Sequence, residues 1–250
     1  MSERVLGIDV GGSGIKGAVV NTRTGKILTE RYRVKTPIPS TPKALSMAVS
    51  AIARHFAWRG PIGCGMPGPF KQGKMMMASN IDKSWVGVKA REVYSRATGC
   101  PVTVVNDADA AGLAEMSFGA GKGHRGVVLV VTLGTGIGSA LFADGHLVPN
   151  TELGQIQLDG KRAELRASAQ VRKAKHLSWQ QWSERLEEYF GALELYFWPD
   201  LIIVGGGVSR KAGKFLPKIG IRTSIVPAQM RNEAGIVGAA LSVRRKDRHP

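Results

Sequence analysis

Four stretches of the chain combine residue types and spacings that can do chemistry. The first is Gly7-Ile-Asp9-Val-Gly11-Gly12-Ser13-Gly-Ile-Lys16-Gly17. A tight glycine turn exposes backbone amides, which together with Lys16 suit phosphate oxygens, and Asp9 can hold Mg2+ through water. Gly12 to Gly17 fits G-x-G-x-x-G, but so does Gly63 to Gly68. A dinucleotide site needs a helix directly after the glycines. Here Ala18-Val-Val and a turn follow, which is hairpin material, and no Gly-Lys-Ser/Thr closes the stretch as a P-loop. The plainer reading is a glycine hairpin capped by Asp9.

The second stretch, Thr132-Leu-Gly134-Thr135-Gly136-Ile-Gly138-Ser139, repeats the design in the other half of the chain. Two such loops facing across a cleft can grip a phosphate chain through their N–H groups, and the alternative is a glycine-rich bulge. The third, Asn106-Asp107, falls at the end of a strand and the start of a helix. There Asp107 can take a proton from an attacking hydroxyl while Asn106 orients the acceptor, or Asp107 simply caps the helix. Asp109, one residue out of register, is expected at the helix start or in solvent. The fourth is Glu152-Leu-Gly154-Gln155-Ile-Gln157-Leu-Asp159-Gly160. It either lines one face with hydroxyl-binding groups or is an exposed strand edge.

The elements that must position these residues alternate in type. Strands are expected at Arg4 to Val10, Ala18 to Asn21 and Lys26 to Val34, then a helix capped by Thr41-Pro42 with Leu45, Val49, Ile52 and Phe56 on one face. Ile62 to Met66 is a strand, Val88 to Thr98 a helix, Val102 to Val105 a strand and Asp107 to Phe118 a helix stopped at Gly119. Gly126 to Leu133, Ser139 to Phe142 and His146 to Val148 form a second meander, turning at Asp144-Gly145. Ser178 and Gln181 make a capping box for a helix that Pro199 ends. Leu201 to Val204 delivers Gly205-Gly206-Gly207, and Asn232 caps a last helix in which Gly235, Gly238 and Ala239 allow close packing. Both halves run strand, glycine turn, strand, hairpin, strand, helix, which reads as an internal duplication.

Composition narrows the class. The 250 residues are 43% hydrophobic and carry 32 glycines, so the chain holds a packed α/β protein. Its two cysteines are too few for a disulfide framework or a four-cysteine zinc site, which makes a reduced setting the default. The start carries no secretory pattern and no apolar run reaches membrane-spanning length, so a soluble, cytoplasmic protein is expected. Thirty-five Lys and Arg against 19 Asp and Glu leave a charge of +16, which attracts polyanions. Nucleic acid is the weakest candidate, because aromatic residues are 6% and do not interleave with the basic ones. The tail Arg244-Arg245-Lys246 reads as a solvated helix end.

Taken together, these stretches resemble the ROK family of repressors, uncharacterised reading frames and sugar kinases, above all its bacterial polyphosphate glucokinase and glucomannokinase branch. The likeness runs from Gly7 to about Ala240. Its most specific words are Ser79-Asn80-Ile-Asp82-Lys83-Ser84-Trp85, Asn106-Asp107-Ala-Asp109-Ala-Ala, Thr132-Leu-Gly-Thr-Gly-Ile-Gly138 and Arg231-Asn-Glu-Ala-Gly-Ile-Val-Gly238. The resemblance implies an actin-like, ribonuclease-H-like α/β fold of two lobes with a central cleft. The lobes would be 1–105, completed by the helix 233–250, and 106–232. It also implies phosphorylation of glucose, and of mannose, at the 6-hydroxyl. By position, Asp107 would be the general base, and Gly68, Asn80, Asn106 and Glu152 would bind sugar hydroxyls, with positions 155 and 157 near the anomeric end. Gly11, Gly12, Ser13, Lys16, Gly134, Thr135 and Gly136 would hold donor phosphates, and Gly205, Gly206 and Gly207 would lie near the nucleotide when ATP is the donor. Mg2+ at Asp9, a polyphosphate or ATP donor and a homodimer complete the expectation.

Three departures qualify it. The family's zinc-binding cysteine cluster is missing, as in the polyphosphate branch, so no structural zinc is expected. No helix-turn-helix precedes residue 5, which points away from the repressors. Positions 155 and 157, usually His and often Glu, are Gln155 and Gln157 here. Gln keeps hydrogen-bonding capacity and drops the charge. That leaves open a kinase-fold protein that binds sugar or polyphosphate without turnover.

Overall fold

The computed structural model describes residues 3–78 and 80–245, Arg245 without its side chain. The chain divides into two compact units. One runs up to Ala114 and takes back the chain from Glu233 onward; the other spans Glu115–Asn232. Ser79 and Lys246, which belong to the Ser79–Trp85 motif and the basic tail, lie outside the described residues, as does the Arg245 side chain.

The first unit is built on five strands, β1 (Arg4–Val10), β2 (Ile15–Asn21), β3 (Tyr32–Val34), β4 (Ile62–Met66) and β5 (Val102–Asn106), in the order β3-β2-β1-β4-β5. The meander β1-β2-β3 is antiparallel, and β4 and β5 continue it in parallel. Strands covered on both faces must be apolar almost throughout, and Val5, Leu6, Ile8 and Val10 are all buried. Helix α1 (Pro42–His55) starts where Thr41 Oγ1 accepts the Ala44 N–H, and it buries Leu45, Val49 and Ile52. The expected strand over Lys26–Val34 is shorter. Only an isolated bridge at Ile27 and the three residues of β3 pair, because the chain between them leaves the ladder.

Helix α2 (Ala90–Thr98) precedes β5, and α3 (Asp107–Phe118) follows it directly. The last helix, α5 (Ala234–Arg245), returns to the first sheet. Gly7 and Gly63 are opposite each other on β1 and β4, and a Cβ on either would collide with the α5 backbone at Ile236 or Ala239. The sheet therefore has to be bare where the helix lies on it. Asn232 sits inside a 3-10 turn, Arg231–Glu233, ahead of α5. At the other end Arg244 is no freely solvated cation: its guanidinium donates to the Thr22 carbonyl at 3.1 Å.

The second unit repeats the plan. Strands β6 (Val127–Leu133), β7 (Ile137–Ala143), β8 (His146–Val148), β9 (Leu201–Gly205) and β10 (Ser224–Pro227) take the order β8-β7-β6-β9-β10 with the same directions. The duplication read as a pattern is thus a duplication of topology. Helix α4 (Trp179–Phe197) begins with the Ser178–Gln181 capping box and buries Trp182, Leu186, Tyr189, Phe190 and Leu193. Among the described residues no helix is long and apolar enough to cross a membrane.

Candidate active site

In the first unit the register of the sheet lines up the chemistry. Asp9 pairs with Lys16 on β2, Lys16 pairs with Arg33 on β3, and on the other side Asp9 pairs with Gly65 on β4 and Gly65 with Val105 on β5. Partners directly opposite in a sheet project to the same face. Asp9, Lys16 and Arg33 therefore form one row across three neighbouring strands. Burial raises the Asp9 carboxyl above its ordinary range, and the Lys16 ammonium opposes that rise. Gly235, at the start of α5, keeps space for the carboxylate, since a Cβ there would stand 2.8 Å from Asp9 Cγ.

The turn between β1 and β2 is the glycine hairpin. Gly11 N–H donates to the Gly14 carbonyl at 3.2 Å, and Thr36 Oγ1 donates to the Gly11 carbonyl at 2.6 Å. Gly12 and Ser13 are exposed at its tip. Arg33 lies over the turn and donates to the Ser13 carbonyl at 2.8 Å, and a Cβ on Gly14 would strike its guanidinium. Arg33 was not among the candidates from sequence. The signal was its register opposite Lys16, which a continuous strand over Lys26–Val34 did not fix.

Asp107 stands at the first position of α3. The helix is capped by Asn106, whose Oδ1 accepts the N–H groups of Ala108 (2.8 Å) and Asp109 (3.1 Å). Asp107 is therefore not the cap, although its Oδ1 also accepts from Ala108 N–H at 2.8 Å. Its side chain keeps a strip of accessible surface but is crowded elsewhere. Burial first, and the Asp9 charge second, push the carboxyl up to about 6, while the Ala108 N–H pulls it back. A carboxylate of that basicity is well matched to taking a proton near neutral pH. Asp109 lies in the first turn of α3, at the helix start as one of the two expectations had it, and not in solvent: it is 1% exposed, because that turn packs inward.

The segment around Asn80 is pinned from behind. Trp85 is fully buried and its Nε1 donates to the Ser40 carbonyl at 2.9 Å, while Asp82 Oδ1 accepts Ser84 N–H at 2.9 Å and caps the 3-10 turn Lys83–Trp85. Asn80 is left exposed. Gly68 has φ 140°, open to glycine alone, and a Cβ there would stand 2.5 Å from the Met77 carbonyl.

In the second unit the turn after β6 is shorter. Gly134 N–H donates to the Gly136 carbonyl, and Gln170 N–H donates to the Gly134 carbonyl, both at 3.0 Å. Gly134 and Thr135 are exposed. Gly206, at φ 83°, packs onto the backbone of Leu133, so the Gly205–Gly207 stretch adjoins this turn. Ser139 Oγ accepts Leu153 N–H at 2.9 Å and holds the stretch that carries Glu152. Gln155 is bracketed at both ends of its amide: Nε2 donates to Glu164 and Oε1 accepts from Arg162, each at 3.0 Å. Glu164 lies against Gly136, where a Cβ would come within 2.5 Å of its Oε2. Sequence reasoning missed Glu164 and Arg162, because only the fold brings them back to Gln155. Gln157 is exposed in a two-residue strand, Gln157–Leu158, that pairs with Lys161–Arg162.

Known proteins resemble this chain in sequence and in fold. The chain is 46% identical over 238 residues to a polyphosphate glucokinase of Mycobacterium tuberculosis, covering 95% of this chain and 90% of that one. It is 30% identical to a glucokinase of Streptomyces coelicolor over 97% and 98% of the two chains. The crystal structure of inorganic polyphosphate/ATP-glucomannokinase from Arthrobacter sp. strain KM superposes with a TM-score of 0.94 at 48% identity, covering 98% of this chain and all of that one. A ROK family glucokinase from Streptomyces griseus, in complex with glucose and AMPPNP, follows at TM-score 0.82 and 25% identity, covering 95% of this chain and 98% of that one. The two-sheet architecture is the actin-like ATPase fold. The ROK family model matches residues 5–166, and on that span and these relatives the chain belongs to the ROK family.

Proposed function

We propose that the protein phosphorylates glucose, with mannose as a second acceptor, at the 6-hydroxyl, taking the phosphoryl group from inorganic polyphosphate or ATP. The observation that carries the reading is Asp107, a reachable carboxylate held near pKa 6 beside the Asp9–Lys16 pair. The sugar oxygen attacks the terminal phosphorus, its proton passes to Asp107, and the bond from that phosphorus to the rest of the donor breaks. The donor leaves one phosphate shorter, as ADP when it entered as ATP.

Gly68, Asn80, Asn106, Glu152, Gln155 and Gln157 are assigned to the other sugar hydroxyls. The turn of Gly11, Gly12 and Ser13 with Lys16, and that of Gly134, Thr135 and Gly136, are assigned to donor phosphates, the Gly11 and Gly134 N–H groups holding the turns themselves, and Gly205–Gly207 to the nucleotide of ATP. Gln157, exposed on its short strand, is the least constrained of these. Asp9 suits Mg2+ bound through water: a half-buried carboxylate with a raised pKa gains from a nearby cation, and Gly235 leaves it room. Among the described residues no cluster of three or more His, Cys, Asp or Glu side chains can hold a metal, which leaves water and phosphate oxygens to complete the shell of such an ion. When bound, Mg2+ neutralises charge on the transferring group. A homodimer working in the cytoplasm completes the proposal.

The test is hexose 6-phosphate formation from glucose and Mg2+, run in parallel with ATP and with long polyphosphate. Product with either donor supports the reading. A folded protein silent with both donors, yet binding glucose or polyphosphate by calorimetry, would replace it with binding without turnover.

A further inference from the structure

The row Asp9–Lys16–Arg33 has more cationic length than a single transferring phosphate needs. Neighbouring strands are about 4.8 Å apart, so the Arg33 rung lies roughly 10 Å from the Asp9 rung, at the outer edge of the sheet. Beyond Asp9 the same row runs through Gly65 and Val105 to the strand that delivers Asp107. It thus leads outward from the general base to an edge strand, turning from carboxylate to cation along the way.

Arg33 is prepared to receive an anion. Its guanidinium has five N–H donors, and the bond to the Ser13 carbonyl uses one of them. Among the described residues it is in no ion pair within 4.0 Å, and its side chain is exposed. Gly14 leaves the space in which the guanidinium lies flat over the turn. A guanidinium fixed by a neutral carbonyl keeps its full charge and loses little freedom on binding a phosphate.

The two donors differ beyond their first phosphates. ATP continues into an uncharged sugar and base, whereas polyphosphate continues as more phosphate. We propose that Arg33 binds a donor phosphate distal to those held by Lys16 and the Gly12 and Ser13 amides, and so favours polyphosphate over the nucleotide. This rests on the kinase reading given above and assigns the donor preference to one side chain.

The experiment compares kcat/KM for ATP and for long polyphosphate in the wild type, Arg33→Ala, Arg33→Lys and, as a control of equal charge change, Arg91→Ala on the exposed side of α2. Losing a charge-assisted phosphate contact lowers kcat/KM for polyphosphate about 10- to 100-fold in Arg33→Ala, mostly through KM, with a loss for ATP at least fivefold smaller. Arg33→Lys recovers part of the loss. The KM for polyphosphate also becomes less sensitive to salt in Arg33→Ala, since one cation has left the chain's path. Arg91→Ala matches the wild type with both donors. Equal losses with both donors would mean that Arg33 only supports the glycine turn, and the inference fails. So does an unchanged preference while the wild type turns over. A wild type silent with both donors fails the kinase reading itself and takes this inference with it.

Discussion

In the first sheet the row next to the glycine turn reads Lys16, Asp9, Gly65 across β2, β1 and β4; in the second the same places on β7, β6 and β9 read Gly138, Thr132, Gly205. Backbone and register are duplicated, down to the glycine on the parallel neighbour. The charge is not. The first row presents an ammonium and a half-buried carboxylate, with Asp107 two residues beyond the same row on β5. The second presents one hydroxyl and bare backbone. The lesson is that the fold supplies two amide-rich turns by repetition, and in only one copy does the row of the sheet beside the turn carry charged groups.

The sharpest way to break that asymmetry is Asp107→Asn, which keeps the Oδ1 acceptor and removes the base. It lowers kcat about 10^2- to 10^4-fold with little change in the KM for glucose; wild-type turnover would remove Asp107 from the mechanism. Next is Asp9→Asn, which makes the first row as uncharged at that place as the second. A fall in rate of about 10- to 100-fold, with more Mg2+ needed for half-maximal rate, is expected, and an unchanged Mg2+ titration would count against Asp9.

Acidity gives a third handle. A base must be deprotonated, so kcat/KM falls as the pH drops through about 6, the value to which burial and Asp9 raise Asp107. The same shift acts on stability. A carboxyl whose pKa is higher in the folded than in the unfolded chain costs stability once charged, fully above about pH 6 and not below about pH 4. Asp107→Asn is therefore more stable than the wild type at pH 8 by roughly 1 to 3 kcal/mol, and the gain vanishes below pH 4 in thermal melts. The smallest effect belongs to the second row: Thr132→Val changes kcat/KM by about three- to tenfold, the worth of one neutral hydrogen bond.

Much of this is legible in the amino-acid sequence alone. Strands with near-continuous apolar runs, such as Arg4–Val10, and helices with explicit caps, such as Thr41-Pro42 and Ser178–Gln181, announce themselves through local chemistry. The site is legible where its residues sit at strand ends, as Asp9 and Asp107 do. The remainder is set by pairing across the chain, which local chemistry does not encode. Arg33 matters through its register with Lys16, Glu164 and Arg162 through their return to Gln155, and the burial of Asp109 through packing of the first turn of α3. Of the two readings of Asp107, base or cap, the cap fails for a local reason: Asn106 and Asp107 are both good caps, and the backbone places Asn106 first.

The return of α5 to the first sheet has a bearing on how the chain comes to exist. While the ribosome is still working, β1 to β5 are already made, but the bare strip at Gly7 and Gly63 that α5 covers has no cover. Translation from β5 to the last helix takes on the order of ten seconds or more. During that interval the second unit is synthesised whole, so it is free to fold first, and the earlier-born half waits for α5 before it is sealed. A nascent chain stalled shortly before Ala234 would display an uncovered apolar sheet, a natural target for chaperones and proteases.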